Sequence, residues 1–137
     1  MDPTIKDGDQ LELQTRVAAV KAGDVIVMRD PDEATKLYCR RVIAVGGDRV
    51  VMRYFASTKV ATVYAHAKGG GVPIPKTSPN GAAYQEVETV VGDDQLYVMG
   101  DNVVPGASYD SDEWGALSTK LLVGVVHRRV TPNPKTF

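Results

Sequence analysis

The chain has 137 residues, of which 43% are apolar and 24% are charged, and its formal net charge is −1. This composition is typical of one globular domain with a sizeable core. Because the chain has no excess of basic residues, the composition argues against a general nucleic-acid binder. A single cysteine, Cys39, excludes an intramolecular disulfide framework, and no apolar run of about 18 residues is present to span a membrane.

In chain order, the opening MDPTIKDGD lacks the apolar core of a signal peptide, so we expect any membrane anchor to lie outside this chain. Short β-branched runs separated by Gly/Asp turns then predict an all-β domain. Gly46-Gly47-Asp48 is a tight-turn signal, which predicts an antiparallel hairpin between its two flanking strands. The predicted strands are 10–14, 24–30, 36–45, 48–54, 59–65, 84–90, 95–100 and 122–130.

The rest of the chain carries weaker signals. The stretch 67–82 contains four glycines and three prolines, which predicts an exposed insertion and excludes a central strand. Residues 116–122 are the one helix candidate, with Ser118 as the N-cap. The sequence thus predicts one domain over 1–130 and a polar, proline-broken tail over 131–137.

Four segments resemble, in order and spacing, the signature boxes of type I signal peptidases. The first two are MDPTIKDGDQL, similar to Ser-Met-x-Pro-Thr-(Leu/Ile)-x-x-Gly-Asp, and GDVIVMRDP, similar to Gly-Asp-(Ile/Val)-Val. The third is YCRRVIAVGGDRV, similar to Tyr-x-Lys-Arg-Val-Ile-x-x-x-Gly-Asp-x-Val. The fourth is YVMGDN with SYDSDEWG, similar to Gly-Asp-Asn and Ser-x-Asp-Ser-Arg-x-(Trp/Phe)-Gly. Together they cover most of residues 1–126, and the Cys-basic-Arg step at 39–41 is more similar to the mitochondrial inner-membrane branch than to the bacterial one.

The resemblance implies coiled antiparallel sheets, a Ser/Lys catalytic dyad and a cleft that binds the substrate as an added β-strand. The bacterial self-cleaving repressors share a related core but lack the Gly-Asp-Asn box. The cleft would include the positions that match the first box, Asp2, Pro3 and Thr4, together with Asp112.

The family's nucleophilic serine would precede Met1 by one residue. We therefore expect a chain without the nucleophile, with a sequence cut or started at this methionine as the alternative.

The family's general-base lysine corresponds to Arg40, and Arg41 matches the family's own arginine. Lysine serves as a base because burial lowers its pKa toward neutrality. Arginine has a pKa above about 12, so neutralising it at pH 7 would cost on the order of 7 kcal/mol. Lys36 shares the strand face of Arg40 but lies roughly 13 Å away along the strand, too far for proton transfer.

The last box departs from the family at one residue and in its spacing, since the gap from Gly100-Asp101-Asn102 to Asp110 is about two residues longer than in the family. Ser108 matches the serine that orients the lysine, and Asp110 and Ser111 match the Asp-Ser pair, but Asp112 replaces an arginine. We therefore expect Arg40 to form a structural ion pair with Asp110 or Asp112 in the remnant of the active site.

Other candidate residues favour structural roles. The five Gly-Asp pairs are typical of turns rather than metal sites. Cys39 alternates to the strand face opposite Arg40 and has no nearby histidine, which argues against a replacement nucleophile. His66 and His127 have no partners at metal-ligand spacing, so we expect no metal or cofactor. Trp114 is predicted to pack in the core. The cluster 127–129 with Lys120 is interpreted as a solvated strand end rather than a site for RNA or an acidic partner.

These patterns predict a catalytically inactive signal-peptidase-like domain that acts as a binding subunit or assembly factor of a larger complex. The expected partner is a protein, which presents an extended segment for β-strand addition or is an active peptidase paralogue. The expected location is mitochondrial, in the matrix or at the inner membrane. The alternative from the enzyme class is a truncated soluble domain of a membrane-anchored, extracytoplasmic peptidase that cleaves leader sequences.

Overall fold

The computed structural model describes residues 1–58, 60–67, 81–102, 109–131 and 134–137. In these ranges short strands dominate, and every pairing between them is antiparallel, which confirms the predicted all-β class. The strands are β1 (Gln10–Gln14), β2 (Val25–Arg29), β3 (Leu37–Val45), β4 (Arg49–Phe55), β5 (Val60–His66), β6 (Gln85–Val90), β7 (Gln95–Met99), β8 (Leu117–Ser118), β9 (Leu122–Thr131) and β10 (Lys135–Thr136).

The strands form two sheets. The larger has seven strands in the order β1-β9-β2-β3-β7-β8, with β10 also paired to β9, and the smaller has three in the order β5-β4-β6. Each of the eight predicted strands corresponds to an observed one, and its ends differ by at most one residue. The two observed strands that the sequence did not predict, β8 and β10, are only two residues long.

The predicted hairpin between strands 36–45 and 48–54 is wrong, because β3 and β4 belong to different sheets. The edge of β3 nearest the turn is taken by β7, so β4 leaves the larger sheet and pairs with β5 and β6. Gly47 donates its amide to the Val91 carbonyl at 2.8 Å, and this bond ties the turn to the connection between β6 and β7. A Cβ on Gly46 would lie 2.8 Å from the main chain of that connection, which explains the glycine.

Short elements differ from the sequence prediction near the end of the chain. The predicted helix at 116–122 is instead β8 followed by a 3-10 turn, Thr119–Leu121, because β8 pairs with β7. Ser118 does cap this turn, as its hydroxyl accepts a hydrogen bond from the Lys120 amide at 3.2 Å. A one-turn helix that the sequence did not reveal, α1 (Ser111–Trp114), precedes it.

Two apolar clusters lie on opposite faces of the larger sheet. The first contains Ile26, Met28, Val42, Leu96, Val98 and Leu117, and the predicted core residue Trp114 packs against it. The second contains Val25, Val27 and Val126, with Met1 and Cys39 packed against it. Strand β3 contributes to both clusters, so its side chains reach both sides of the sheet.

The predicted insertion at 67–82 lies mostly outside the described residues. No helix in the described part of the chain is long and apolar enough to cross a membrane.

Candidate functional site

Strand β3 directs the two consecutive arginines to opposite faces of the larger sheet. Arg40 is buried, with 6% of its surface exposed, on the face that carries Val42. The Arg41 side chain is about one-third exposed on the other face. Strand alternation places the two arginine side chains on opposite faces, so each needs its own set of hydrogen-bond partners.

The guanidinium of Arg40 donates its hydrogen bonds to main-chain carbonyls. Nε and Nη2 donate to the Tyr109 carbonyl at 2.9 and 2.6 Å, and Nη1 donates to the Cys39 carbonyl at 2.7 Å. The guanidinium also lies over the Tyr38 ring, with its carbon 4.8 Å from the ring centroid. The planar fork of arginine suits this arrangement, since one lysine ammonium would not reproduce its geometry.

Of the two carboxylates predicted to pair with Arg40, Asp110 acts on its charge. Burial lowers the pKa of Arg40, and the negative charge of Asp110 opposes that effect. Asp110 is itself buried, with 4% of its surface exposed. A direct ion pair between the two side chains therefore stays a prediction, but Asp110 does stabilise the charged guanidinium.

Asp110 and Ser111 also close the edge of β7. Asp110 Oδ2 accepts a hydrogen bond from the Gly100 amide at 3.1 Å, and Ser111 Oγ accepts one from the Val98 amide at 2.9 Å. Asp110 is in addition the N-cap of α1. Strand β8 pairs only with Gln95 and Leu96 of β7. The amides of Val98 and Gly100, which β8 does not pair with, therefore bind the side chains of Ser111 and Asp110 instead.

Asp112 lies two residues after Asp110, and its main-chain amide donates a hydrogen bond to Asp110 Oδ1 at 3.4 Å. Interaction with the Asp110 carboxyl group, partial desolvation, and the charges of Asp110 and Glu113 raise the pKa of Asp112 to about 7. On the neighbouring strand, burial and the charges of Asp112 and Asp110 raise the pKa of Tyr97 to about 12. The carboxyl groups of Asp110 and Asp112 thus influence each other's charge in this turn.

Arg41 belongs to a second network, which ties the N-terminal segment to the end of β7. Its Nε and Nη2 bind the two carboxylate oxygens of Asp101 at 2.7 and 2.6 Å, and Nη1 donates to the Gly23 carbonyl at 2.9 Å. The Thr4 hydroxyl donates to the same Asp101 carboxylate. Although burial opposes it, these hydrogen bonds hold the pKa of Asp101 below its ordinary value.

The remaining residues of the first signature box are separated from Arg40. Met1 packs in the apolar cluster that contains Cys39, on the face of β3 opposite Arg40. Asp2 and Pro3 are exposed at the start of a turn in which the Thr4 amide donates to the Met1 carbonyl at 2.8 Å. The described contacts do not bring Met1 and Arg40 together, and a cleft role for Asp2 and Pro3 stays a prediction.

Several sequence predictions concern side chains away from this region. Ser108 lies outside the described residues, so its predicted role stays a prediction. Burial raises the pKa of the Cys39 thiol to about 11, in agreement with an inert cysteine. Two cations of the basic cluster are paired with acids, because Arg128 lies 2.8 Å from Glu12. Arg129 likewise lies 3.4 Å from a carboxylate, that of Asp9.

Sequence reasoning missed two contributors to the site. Asp101 was interpreted as a turn residue, although the unpaired charge of Arg41 required a partner. Tyr109 acts through its carbonyl, and no side-chain pattern indicates such a role. Tyr109 is exposed and its ring stacks on Trp114 at 6.5 Å between centroids. Among the described residues, no group of three or more histidine, cysteine, aspartate or glutamate side chains is arranged to hold a metal ion.

Comparison with known proteins gives one family. The family model described as "Signal peptidase, peptidase S26" matches residues 1–131. The chain is 28% identical over 144 residues to "Probable signal peptidase I-2" of Synechocystis sp., an alignment that covers 98% of the chain and 61% of that protein.

Two further relatives agree. The chain is 28% identical over 135 residues to "Mitochondrial inner membrane protease subunit 1" of Xenopus tropicalis, covering 96% of the chain and 64% of that protein. It is 31% identical over 112 residues to "Signal peptidase I" of Bacillus licheniformis, covering 74% of the chain and 56% of that protein. The matched part of the chain therefore spans about six-tenths of the length of these relatives.

Proposed function

Because the chain belongs to the signal peptidase family, peptidase S26, we propose that it is a family member that binds an extended polypeptide segment without cleaving it. In this role it serves as a binding subunit or assembly factor of a larger protein complex. The observation that carries the proposal is the buried, fully hydrogen-bonded guanidinium of Arg40, a residue that matches the family's general-base lysine by resemblance of the third box.

Arg40 is a charged guanidinium and does not accept a proton. Its three hydrogen bonds are donated by the charged guanidinium to carbonyl oxygens, and Asp110 favours the charged form. Burial lowers its pKa, but an arginine starts about five pKa units above neutrality and is a hydrogen-bond donor only. A proton acceptor for a serine hydroxyl is therefore not available at this position near pH 7.

The neighbouring lysine does not replace it. Lys36 lies just before β3, and its ammonium is exposed and lies 2.7 Å from the Glu33 carboxylate. The hydrogen bond with Glu33 raises the pKa of Lys36, although partial desolvation opposes this. A raised pKa keeps the lysine protonated, which is the opposite of what a general base requires.

The free part of β3 supports binding of an extended segment. Strand β7 pairs with β3 only from Arg41 onward, so no described strand is paired with the same side of Leu37–Arg40. The main chain of Val42 faces β2, and by alternation Leu37 directs its N–H and C=O groups to this unpaired side. Cys39 faces the same side, but its carbonyl already accepts a hydrogen bond from Arg40 Nη1, so Leu37 and the Cys39 N–H are the groups offered to an added strand. Leu37 is 57% exposed there, an apolar contact for an added strand.

A binding assay tests this proposal on the full native protein. The probe is a fluorescein-labelled leader-type peptide with small residues at its cleavage site, followed by anisotropy and then by mass spectrometry. We expect saturable binding and an intact peptide. Leu37→Asp should weaken binding at least tenfold, whereas Val87→Asp, a matched change at a site that is 54% exposed on the smaller sheet, should not. Cleavage of the peptide by the native protein would overturn the proposal.

A second candidate is favoured by the relatives, since all three carry the names of signal peptidases or of a protease subunit. In that case the chain is the soluble domain of a membrane-anchored peptidase that cleaves leader sequences. The same assay separates the two candidates, because the peptidase would release two peptide products.

A mitochondrial location and a multisubunit setting are part of the first proposal. The relative from Xenopus tropicalis is named as a subunit of a mitochondrial inner membrane protease, which favours a complex with an active paralogue as the partner. Isolation of the tagged native protein from mitochondria, with identification of a co-purifying peptidase, tests this setting. Recovery of the protein outside mitochondria would contradict it.

A further inference from the structure

Strand β5 forms one edge of the smaller sheet, whose strand order is β5-β4-β6. It pairs with β4 over all seven of its residues without a register shift. Within the described ranges, no strand pairs with the outer side of β5. An unpaired edge of this length can accept a strand from another chain, so soluble proteins usually protect such edges.

The other edge strands of the two described sheets carry protection that β5 lacks. Strand β1 pairs with β9 through two register shifts, and β8 is only two residues long. Strand β6 carries two acidic residues, Glu86 and Glu88. Strand β5 has the sequence VATVYAH, which contains no proline, lysine, arginine or acidic residue. Bulges, short strands and charges are the usual devices against edge pairing, so β5 is the edge best suited to pairing.

The register identifies the main-chain groups on the outer side of β5. The Val91 amide donates to the Asp48 carbonyl at 2.9 Å, one step before the first pair of β4 and β6. By alternation, the even-numbered residues of β4 direct their main chain to β6 and the odd-numbered residues direct theirs to β5. The odd-numbered residues of β4 lie opposite the even-numbered residues of β5. The N–H and C=O groups of Ala61, Val63 and Ala65 therefore point to the outer side.

Side-chain contacts hold β5 against the rest of the smaller sheet. Arg53 of β4 is 4% exposed, and its Nε donates to Glu86 of β6 at 2.7 Å. Its guanidinium carbon lies 5.5 Å from the ring centroid of Tyr64 on β5 and 4.6 Å from that of Tyr84. These contacts link the three strands, so the edge of β5 is already extended and loses little conformational entropy when another strand pairs with it.

We propose that β5 pairs with β5 of a second copy of this chain, about a twofold axis at Val63. In this antiparallel register Val63 lies opposite its own counterpart, and Ala61 of each copy lies opposite Ala65 of the other. All of the outward-facing residues then exchange N–H and C=O groups across the axis, which gives about six main-chain hydrogen bonds. A shift along the strand would form fewer.

A second copy fits this edge better than the other occupants do. Ala61 and Ala65 are exposed, so both ends of the outward-facing row are accessible, and no like charges meet in the proposed register. Pairing of β5 with β6 of another copy would leave a free edge at each end and grow into a filament, whereas the twofold pairing closes at two chains. The contact is small, so we expect a dissociation constant on the order of 10 µM.

Analytical ultracentrifugation of the full native protein from about 1 to 100 µM tests the dimer. We expect a reversible change from the 14.8 kDa monomer to a species of twice that mass. Ala61→Lys with Ala65→Lys places lysine opposite lysine at two points of the proposed register, so the dissociation constant should rise at least about tenfold. Ala61→Lys with Ala65→Glu places opposite charges at the same points and should restore dimerisation. Gln10→Lys with Gln14→Lys, at exposed positions of equal spacing on the edge strand β1, is the matched control and should dimerise like the native protein.

Hydrogen exchange at single amides identifies the strand that pairs. Protection of the Ala61, Val63 and Ala65 amides should increase with protein concentration, whereas that of Glu86 and Glu88, which by alternation face the outer side of β6, should not. A monomer at every concentration, a species larger than a dimer, a dimer that the double-lysine change leaves intact, or a lysine–glutamate variant that stays monomeric would overturn the proposal. None of these measurements uses a peptide, so the result is independent of whether the protein binds or cleaves one.

Discussion

Replacing Arg40 by methionine keeps an apolar stem in the sheet and removes the charge and all three hydrogen bonds to the carbonyls of Tyr109 and Cys39. A hydrogen bond from a charged donor contributes about 1.5–3 kcal/mol, but desolvation of the buried guanidinium offsets part of this. Methionine also removes a positive charge that acts on the buried Asp110. We therefore expect the free energy of unfolding to decrease by about 2–4 kcal/mol.

Urea denaturation of the native and variant proteins, followed by circular dichroism, measures this loss. For a chain of this size the melting temperature should decrease by about 6–20 °C. Arg49→Met is the matched control, because the Arg49 side chain is 48% exposed and lies 3.7 Å from Glu88, so the loss should be under about 0.5 kcal/mol. A double-mutant cycle of Arg40→Met with Asp110→Asn should give a coupling energy above about 1 kcal/mol. Unchanged stability of Arg40→Met would refute the structural role of this arginine.

Three other changes test the surroundings of the site. Ser111→Ala leaves the buried Val98 amide without its acceptor, so the free energy of unfolding measured by urea denaturation should decrease by about 1–3 kcal/mol. An effect near zero would show that the Ser111 hydroxyl does not stabilise the edge of β7. Gly46→Ala places a Cβ 2.8 Å from the Asp93 main chain and should reduce stability by about 1–3 kcal/mol, with a lower melting temperature as the readout. Burial opposes the lowered pKa of Asp101 but hydrogen bonds prevail, so its stabilisation is present above about pH 4 and is lost as pH decreases through the lowered value. Asp101→Asn should remove this part of the acid sensitivity between pH 2 and 5, and an unchanged melting profile would count against it.

The strands were predictable because alternation and β-branched runs act over a few residues. All eight predicted strands were found, since each lies between turn signals that the local sequence carries. The partners of these strands were harder to predict. Gly46-Gly47 has the composition of a hairpin turn, yet β7, which begins some fifty residues later, occupies the edge that β4 would need. Competition between distant strands for one edge leaves no mark in a short window of sequence.

The candidate site was predictable where side-chain chemistry carries the signal. The assignment of Arg40 to the general-base position, and of Asp110 and Asp112 to the last box, comes from resemblance to the family's boxes and stays a prediction. The main-chain acceptors were not predictable, because every residue has a carbonyl and the fold alone decides that the Tyr109 carbonyl meets Arg40. The ion pair expected between Arg40 and Asp110 or Asp112 stays a prediction, although the negative charge of Asp110 favours the charged form of Arg40.

Cleavage of a leader-type peptide tests the central claim most directly. The full native protein is incubated in excess over the peptide from pH 5 to 9, with an active signal peptidase as the positive control and mass spectrometry as the readout. We predict that the peptide stays intact with the native protein, because the guanidinium of Arg40 does not accept a proton in this range. Site-specific cleavage by the native protein that is lost in Arg40→Ala would contradict the account, since it would show that a peptidase works with arginine at this position.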